Sequence, residues 1–496
     1  MTASSPGLSL RDSPVRIPLI LAFVFFLAAL LFYGRHLDFP ANYHPDEPKK
    51  VRQAMDGNYN FHHPMLLLVS ARTAALVAGR TQDFEFVKRT GRMASVFFAA
   101  GSVGLLAFLV AWLYGPFCGT AAGVFLLGNA QLFELAHYFK EDPALLFGLS
   151  LSLVAITAYT RAPSASMAAL VGVGAAVAAS GKYIGFLIVP FCIAAILVVS
   201  SSRRRDLACW AGGILLALVV INLPAILSPD SVAASFSREM QGVSGKTGLT
   251  TRRVPHGVYS NVYWSSSTPI LVLLLGIFGL DLLRKRFRIS AAEAVLVLFP
   301  LVLVVLLSFS PKTHHRYFLP CAAFFTCLSA AGLKPVLSLR YGLLIGTVLV
   351  LASTAFQLPR LLDAERGFSQ DHRSELNRFV NENLPQDAVL LEDQKVDLAP
   401  GIERKVIKRK ITETDSLASL RSEGFTHVIV SSRFYGALFM KSLRLQPEKK
   451  ASATALRQFY ESLFQEGKLL REWETGSNIY MTPSLRIYAI GERTPE

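Results

Sequence analysis

Eleven apolar runs, each long enough or nearly long enough to cross a bilayer, dominate this chain and leave few folds open to it. At a rise of 1.5 Å per residue, a run of roughly 15–20 apolar residues forms a helix that spans most or all of the hydrocarbon layer. The runs cover residues 16–33, 93–114, 119–135, 143–159, 167–180 and 183–200, then 207–227, 268–283, 291–309, 317–333 and 341–357. Residues 65–79 are also apolar, but they are short and carry two nearby arginines, which suits a helix lying in the interface better than one crossing it. With 52% apolar residues and a mean hydropathy of +0.40, the chain exceeds what a soluble core needs. The expected fold is therefore a polytopic α-helical membrane protein of about 11 transmembrane helices. Its first span follows Arg11 and Arg16 with no small-residue cleavage site, and so reads as a retained anchor.

Loop charges set the expected orientation. Arg203-Arg204-Arg205 and the basic run at 284–288 fall in alternate short loops, which places both of them and the N-terminus on the cytoplasmic side. Asp46, Asp142, Lys182 and His314-His315-Arg316 then lie on the outer face, together with the polar tail. The basic 85–92 stretch runs against this scheme, but it belongs to the long 35–92 loop, where the charge rule weakens. Residues 360–496 hold 21 basic and 20 acidic side chains, leaving 29 basic against 15 acidic in the membrane part. That excess sits in short loops where orientation and anionic headgroups account for it, so nucleic-acid binding is not indicated. Cys118, Cys192, Cys209, Cys321 and Cys327 all fall in or beside spans, so no outer-face disulfide framework is available.

The tail alternates helical and strand patterns: helical at 374–383, 415–423 and 454–466, and strand at 388–392, 427–431, 469–474 and 485–490. This predicts a soluble α/β domain over 359–496, following a transmembrane domain over 1–358. The tail has no glycine-rich phosphate loop, paired cysteines or nucleophile elbow, and no catalysis is assigned to it. The 228–264 loop, with Gly242, Gly245, Gly248 and Thr250-Thr251-Arg252-Arg253, reads either as a mobile flap or as a plain connector.

Two acidic clusters point to chemistry. Residues 42–50 read Asn-Tyr-His-Pro-Asp-Glu-Pro-Lys-Lys and place Asp46 and Glu47 just beyond the first span; Lys140-Glu141-Asp142 stands at the corresponding end of another. Two carboxylate sites over one membrane face suit an enzyme acting on a lipid-borne substrate. The plain alternative is that charges at span ends are common, because they avoid the roughly 2.5–3.5 kcal/mol that a charge costs at mid-membrane. Asp142 before Pro143 also starts a helix well, and Lys182 and Arg316 also suit snorkelling to headgroups. His62, His63, His314 and His315 have no ligand spacing with Cys or a second carboxylate pattern, so no metal or other cofactor is called for. Tyr138, Tyr183, Tyr317 and Trp264 suit an interfacial aromatic belt.

Taken in order, several of these pieces resemble the GT-C membrane glycosyltransferases. They are the acidic pair after span one, His63-Pro64-Met65, Arg92, Lys140-Glu141-Asp142-Pro143, Gly181-Lys182-Tyr183 and Arg316-Tyr317-Phe318-Leu319-Pro320. The pattern is most similar to the protein mannosyltransferases of glycosyltransferase family 39 and to the bacterial aminoarabinose transferases that modify lipid A. The tail resembles the outer-face domains of bacterial members.

The resemblance implies a polyprenyl-phosphate sugar donor and inverting transfer to a lipid, glycan or protein acceptor on the outer face of a bacterial inner membrane. Asp46 is then the base, with Glu47 as its alternate, and Asp142 with Glu141 positions the acceptor or holds a cation. Lys182, Arg316 and Arg92 are the candidates for the donor phosphate, and His63, Tyr183 and Tyr317 for substrate contact. Unlike the eukaryotic mannosyltransferases, the chain lacks an evident repeat-type outer insertion between its later spans, which leaves the acceptor open. The competing class is a carrier that moves a lipid-linked sugar without chemistry. Carriers tend to place ionisable groups near the midplane, whereas here only Glu134 approaches that description.

Overall fold

The computed structural model describes residues 15–38, 42, 44, 46–243, 267–308, 315–369, 372–398, 401–439, 447–474 and 484–491. They fall into two compact units. The first is built from the described residues up to Leu37, from Lys49–Glu239, and from 267–361; the second from the described residues among 38–48, from 240–243, and from the described residues after 361.

The first unit is helical. In chain order it contains α1 (Arg16–Tyr33), α2 (Glu47–Asp56, entered from the second unit), α3 (Leu66–Val77), α4 (Phe84–Tyr114), α5 (Pro116–Leu127), α6 (Ala130–His137), α7 (Asp142–Arg161) and α8 (Ala165–Gly181). After a 3₁₀ turn at Tyr183–Ile188 come α9 (Val189–Val199), α10 (Arg203–Ile226), α11 (Pro229–Val243, which from Met240 belongs to the second unit), α12 (Pro269–Arg284) and α13 (Ala291–Ser308). A second 3₁₀ turn, His315–Phe318, leads into α14 (Leu319–Ala331), α15 (Leu333–Leu337) and α16 (Gly342–Ser369), which from Leu362 onward belongs to the second unit. Among the described residues, seven helices are long and apolar enough to cross a membrane, and four shorter apolar helices accompany them.

Helix α4, the longest, begins where Asp83 accepts a hydrogen bond from the backbone N–H of Phe86 at 2.9 Å, a cap that typically contributes about 1 kcal/mol. Most of its length is buried, and α7 packs against both α4 and α8. The α7–α8 approach is very close: a Cβ added at Gly148 would stand 2.2 Å from the backbone nitrogen of Ala178. The expected run at 119–135 is not one helix. Gly128 and Asn129 interrupt it, and the Asn129 side chain starts α6 afresh by accepting from the N–H of Leu132 at 2.9 Å. Helix α10 breaks at Asn222, whose side chain turns the break into a junction. It donates to Ser180 Oγ at 2.7 Å and accepts from the Met65 N–H at 3.2 Å, joining α10 to the end of α8 and the start of α3.

The second unit contains α17 (His372–Asn383), β1 (Val389–Glu392), β2 (Lys405–Lys408), α18 (Leu417–Ser422), β3 (His427–Ser431), α19 (Ser432–Leu438), α20 (Pro447–Glu466), β4 (Lys468–Trp473) and β5 (Leu485–Ala489). Its sheet runs β2-β1-β3-β5-β4. The first three strands are parallel, and β5 pairs antiparallel with both β3 and β4. Strand β3 is buried on both faces, as its uninterrupted apolar centre requires. Val428 and Val430 point into a core with Leu420, Tyr460 and Leu463, while Ile429 points into the opposite core with Leu376, Val380 and Trp473. Strand β2 and helix α19 go beyond the sequence patterns. The first is a four-residue edge strand bounded by lysines, and the second follows β3 without a break.

Candidate active site

In the first unit, the polar residues gather at the start of α7. Pro143 in the first turn leaves no backbone donor wasted there, and Glu141 and Asp142 stand at that end with 2% exposure each. Each carboxylate has its own lysine. Lys50, from α2, forms a very short ion pair with Glu141 and also donates to the Phe139 carbonyl at 3.1 Å. Lys182, at the end of α8, donates to Asp142 Oδ1 at 2.7 Å. The other oxygen, Oδ2 of Asp142, is buried with no hydrogen-bond partner among the described residues. Ser95 fixes the turn ahead of them by bonding both the carbonyl and the N–H of Lys140.

Tyr317 links Lys182 to Arg316. Lys182 Nζ lies 4.6 Å from its ring centroid and the Arg316 guanidinium 5.3 Å from it, both within cation–π range. Tyr183 donates to the Phe61 carbonyl at 3.0 Å and packs edge-on against Phe236. His63 lies in the field of this cluster. The Glu141 carboxylate pulls its pKa upward, but burial together with Lys50, Lys140 and Lys182 outweighs that pull and holds it at about 4. Burial alone would raise the pKa of Glu141; the cationic groups beside it hold the carboxyl well below the usual range.

The structure thus brings Glu141, Asp142, Lys182, Arg316, Tyr317 and His63 together around the start of α7. Tyr183 adjoins Lys182 in the chain. Arg92 has a different setting: it is fully buried in α4 and donates to the Leu37 carbonyl at 3.0 Å. Lys50, which binds Glu141, is not singled out by the sequence patterns. Its signal is its position on the polar helix that begins at Glu47, directly after Asp46. Among the described residues no three His, Cys, Asp or Glu side chains are grouped as a metal site requires. His314 and residues 244–266, which include Trp264 and the rest of the long 228–264 loop beyond 243, lie outside the described residues, as does the side chain of His315.

Asp46 and Glu47 belong to the second unit. The Asp46 side chain is about half exposed, 49%, and holds Oδ2 3.5 Å from Nδ1 of the buried His44. Its backbone N–H donates to the same nitrogen at 3.1 Å, and the Glu47 N–H donates to the His44 carbonyl at 2.8 Å. Glu47 itself is fully buried. Sequence reasoning passes over His44, although His-Pro-Asp places it two residues before the acid it orients.

The chain resembles in structure ArnT from Cupriavidus metallidurans bound to undecaprenyl phosphate, with a TM-score of 0.54 and 15% identity over 96% of this chain and 99% of that one. This is the GT-C fold. The apo state of the same ArnT matches with a TM-score of 0.50 and 14% identity over the same shares of the two chains. No protein-family model matches the sequence, and no curated protein matches it. At these identities the likeness establishes the GT-C architecture of an integral membrane protein with a small C-terminal sheet.

Proposed function

We propose that this chain is an inverting glycosyltransferase that moves a sugar from a polyprenyl-phosphate donor to a lipid, glycan or protein acceptor on the outer face of a bacterial inner membrane. One observation carries the proposal: at the start of α7, on the fold of a protein solved with undecaprenyl phosphate, lysines hold two buried carboxylates and leave one oxygen of Asp142 unpartnered among the described residues. Membrane residues 1–358 and tail residues 359–496 then divide the work, with the tail on the outer side.

In this reading Asp46 is the base, and its half-open carboxylate suits that role. It takes the proton of the acceptor hydroxyl from within about 3 Å as the oxygen attacks the anomeric carbon. The bond from that carbon to the phosphate oxygen breaks, and polyprenyl phosphate leaves with the electron pair. Lys182 and Arg316 offset the negative charge that grows on the leaving oxygen. The Oδ2 of Asp142 accepts from a substrate hydroxyl or amine, while Glu141 keeps Lys50 in place. His63 and Tyr183 line the sugar, and Tyr317 holds the two cations. Arg92, committed to the Leu37 carbonyl, fixes the exit of α1. Glu47 is too buried to serve as more than an alternate base.

The test incubates purified protein with a panel of polyprenyl-phosphate sugars and envelope lipids, and follows free polyprenyl phosphate and glycosylated product by mass spectrometry. Wild type is expected to give product, Asp46→Asn to lose at least about a hundredfold in turnover while still binding undecaprenyl phosphate, and Lys182→Ala to bind it more weakly. Full turnover by Asp46→Asn removes Asp46 from its role. Movement of lipid or solute in proteoliposomes without any product would favour a carrier.

A further inference from the structure

Arg373 is among the largest fully buried side chains of the protein, and its Nη1 bridges two distant carbonyls. It donates to Asn42 at 2.9 Å and to Asp397 at 3.3 Å. One acceptor lies four residues before Asp46; the other lies in the loop that follows β1. We propose that the tail holds Asn42, four residues before the base, through this guanidinium, which makes Arg373 a positioning residue for Asp46. The inference rests on the reading of Asp46 as base and extends it by giving the tail a part in transfer.

The loop that receives Arg373 is built to present a carbonyl. Lys395 and Asp397 both adopt left-handed backbone conformations, with φ of +64° and +51°, which non-glycine residues hold only where their surroundings enforce it. Here the surroundings do so. Asp393 accepts from the Tyr460 hydroxyl at 2.5 Å and from the Ile411 N–H at 3.2 Å. Lys408 of β2 bonds Asp397 Oδ1 at 2.9 Å and Glu392 Oε1 at 3.2 Å. The Leu398 N–H closes the loop on Glu392 at 3.3 Å. The Asp397 carbonyl is thereby anchored to the end of the parallel sheet.

The Arg373 hydrogen bond holds the Asn42 carbonyl, and two residues on, buried His44 bonds the backbone of both Asp46 and Glu47. The Asp46 carboxylate is left half open, and the backbone that carries it is held. A base needs that combination, since a displacement of about 1 Å costs on the order of a hundredfold in rate.

Arg404 supplies the control. It is also a buried arginine of the tail, and it donates to the carbonyls of Leu384 at 2.8 Å, Pro385 at 2.8 Å and Asn381 at 3.1 Å, all within that domain. Its loss disturbs the tail without removing the bond to Asn42. The experiment uses the full chain in lipid nanodiscs and compares wild type, Arg373→Met, Arg373→Lys and Arg404→Met. Amide hydrogen exchange of peptides covering 42–48 and 427–431 is measured alongside binding of undecaprenyl phosphate and turnover with the donor found above.

Arg373→Met is expected to speed exchange at 42–48 about tenfold while β3 stays protected, and to lower kcat about tenfold with undecaprenyl phosphate affinity within about threefold of wild type. Arg373→Lys should recover part of both losses, and Arg404→Met should leave both readouts near wild type. Wild-type exchange at 42–48 in an Arg373 variant with a protected β3, or a loss of the same size in Arg404→Met, overturns the proposal. If Arg373→Met does not accumulate, Arg373→Lys carries the same comparison. Active Asp46→Asn would overturn the base assignment alone, because the exchange measurement still judges the clamp.

Discussion

At the start of α7 two adjacent carboxylates are held by two different lysines, and the consequence reaches His63. Buried ion pairs are weak contributors to stability, because desolvating both charges offsets most of their attraction. Two of them side by side therefore suit the proposed site, in which charges are fixed in advance of the donor. His63 reports on that field. Its pKa of about 4 lies below the ordinary 6.5, so between those values the unfolded chain binds the proton that the folded chain refuses. Stability must then rise with pH across this window: the contribution of His63 is fully present above 6.5, declines as pH falls, and levels off below about 4. His63→Gln removes this dependence. Its apparent melting temperature should fall less steeply than that of wild type between pH 6.5 and 4, and the two curves should run parallel above 6.5. Parallel curves throughout would show that His63 keeps an ordinary pKa.

Elements are placed by features that differ greatly in how visible they are in a sequence. Apolar runs announce most helices of the first unit, and strand patterns announce β1, β3, β4 and β5, because burial acts on every residue of such an element. Breaks and edges leave less trace. The Gly128-Asn129 interruption is a cap signal inside an apolar run, and β2 is a strand of four residues that depends on its neighbour β1 for its existence. Lys50 is not legible as the partner of Glu141 at all, since the two are 91 residues apart and only packing joins them. Close helix contacts are similarly hidden. Gly148 and Gly276 look alike in sequence, yet a Cβ would meet the α8 backbone at 2.2 Å in the first case and nothing within 4 Å in the second. Gly148→Ala should therefore force α7 and α8 apart at a cost of about 1–3 kcal/mol, while Gly276→Ala should be neutral or slightly favourable. Thermal unfolding of the two variants in one detergent checks this, and equal melting temperatures would contradict the close α7–α8 approach.

For the whole molecule, the proposed chemistry depends on which side of the membrane each end of α7 faces. The carboxylates sit at its first turn, and Arg161 lies at its last. The basic loop ahead of α10 is expected on the cytoplasmic side, where anionic headgroups and the insertion machinery favour arginine. On the proposed reading, the tail and the start of α7 are each expected on the outer side, where the acceptor would be met. Two exposed serines permit a direct test, Ser201 in the basic loop and Ser422 at the end of α18. The native cysteines give little background, since four are buried and Cys209 is partly buried within α10. In intact cells an impermeant thiol reagent should label Ser422→Cys, whereas Ser201→Cys should react only after the membrane is opened. The opposite pattern would place the tail in the cytoplasm. A polyprenyl-phosphate donor would then have to be consumed on the side where nucleotide sugars are available, and the argument for a membrane-borne donor would lose its chemical reason.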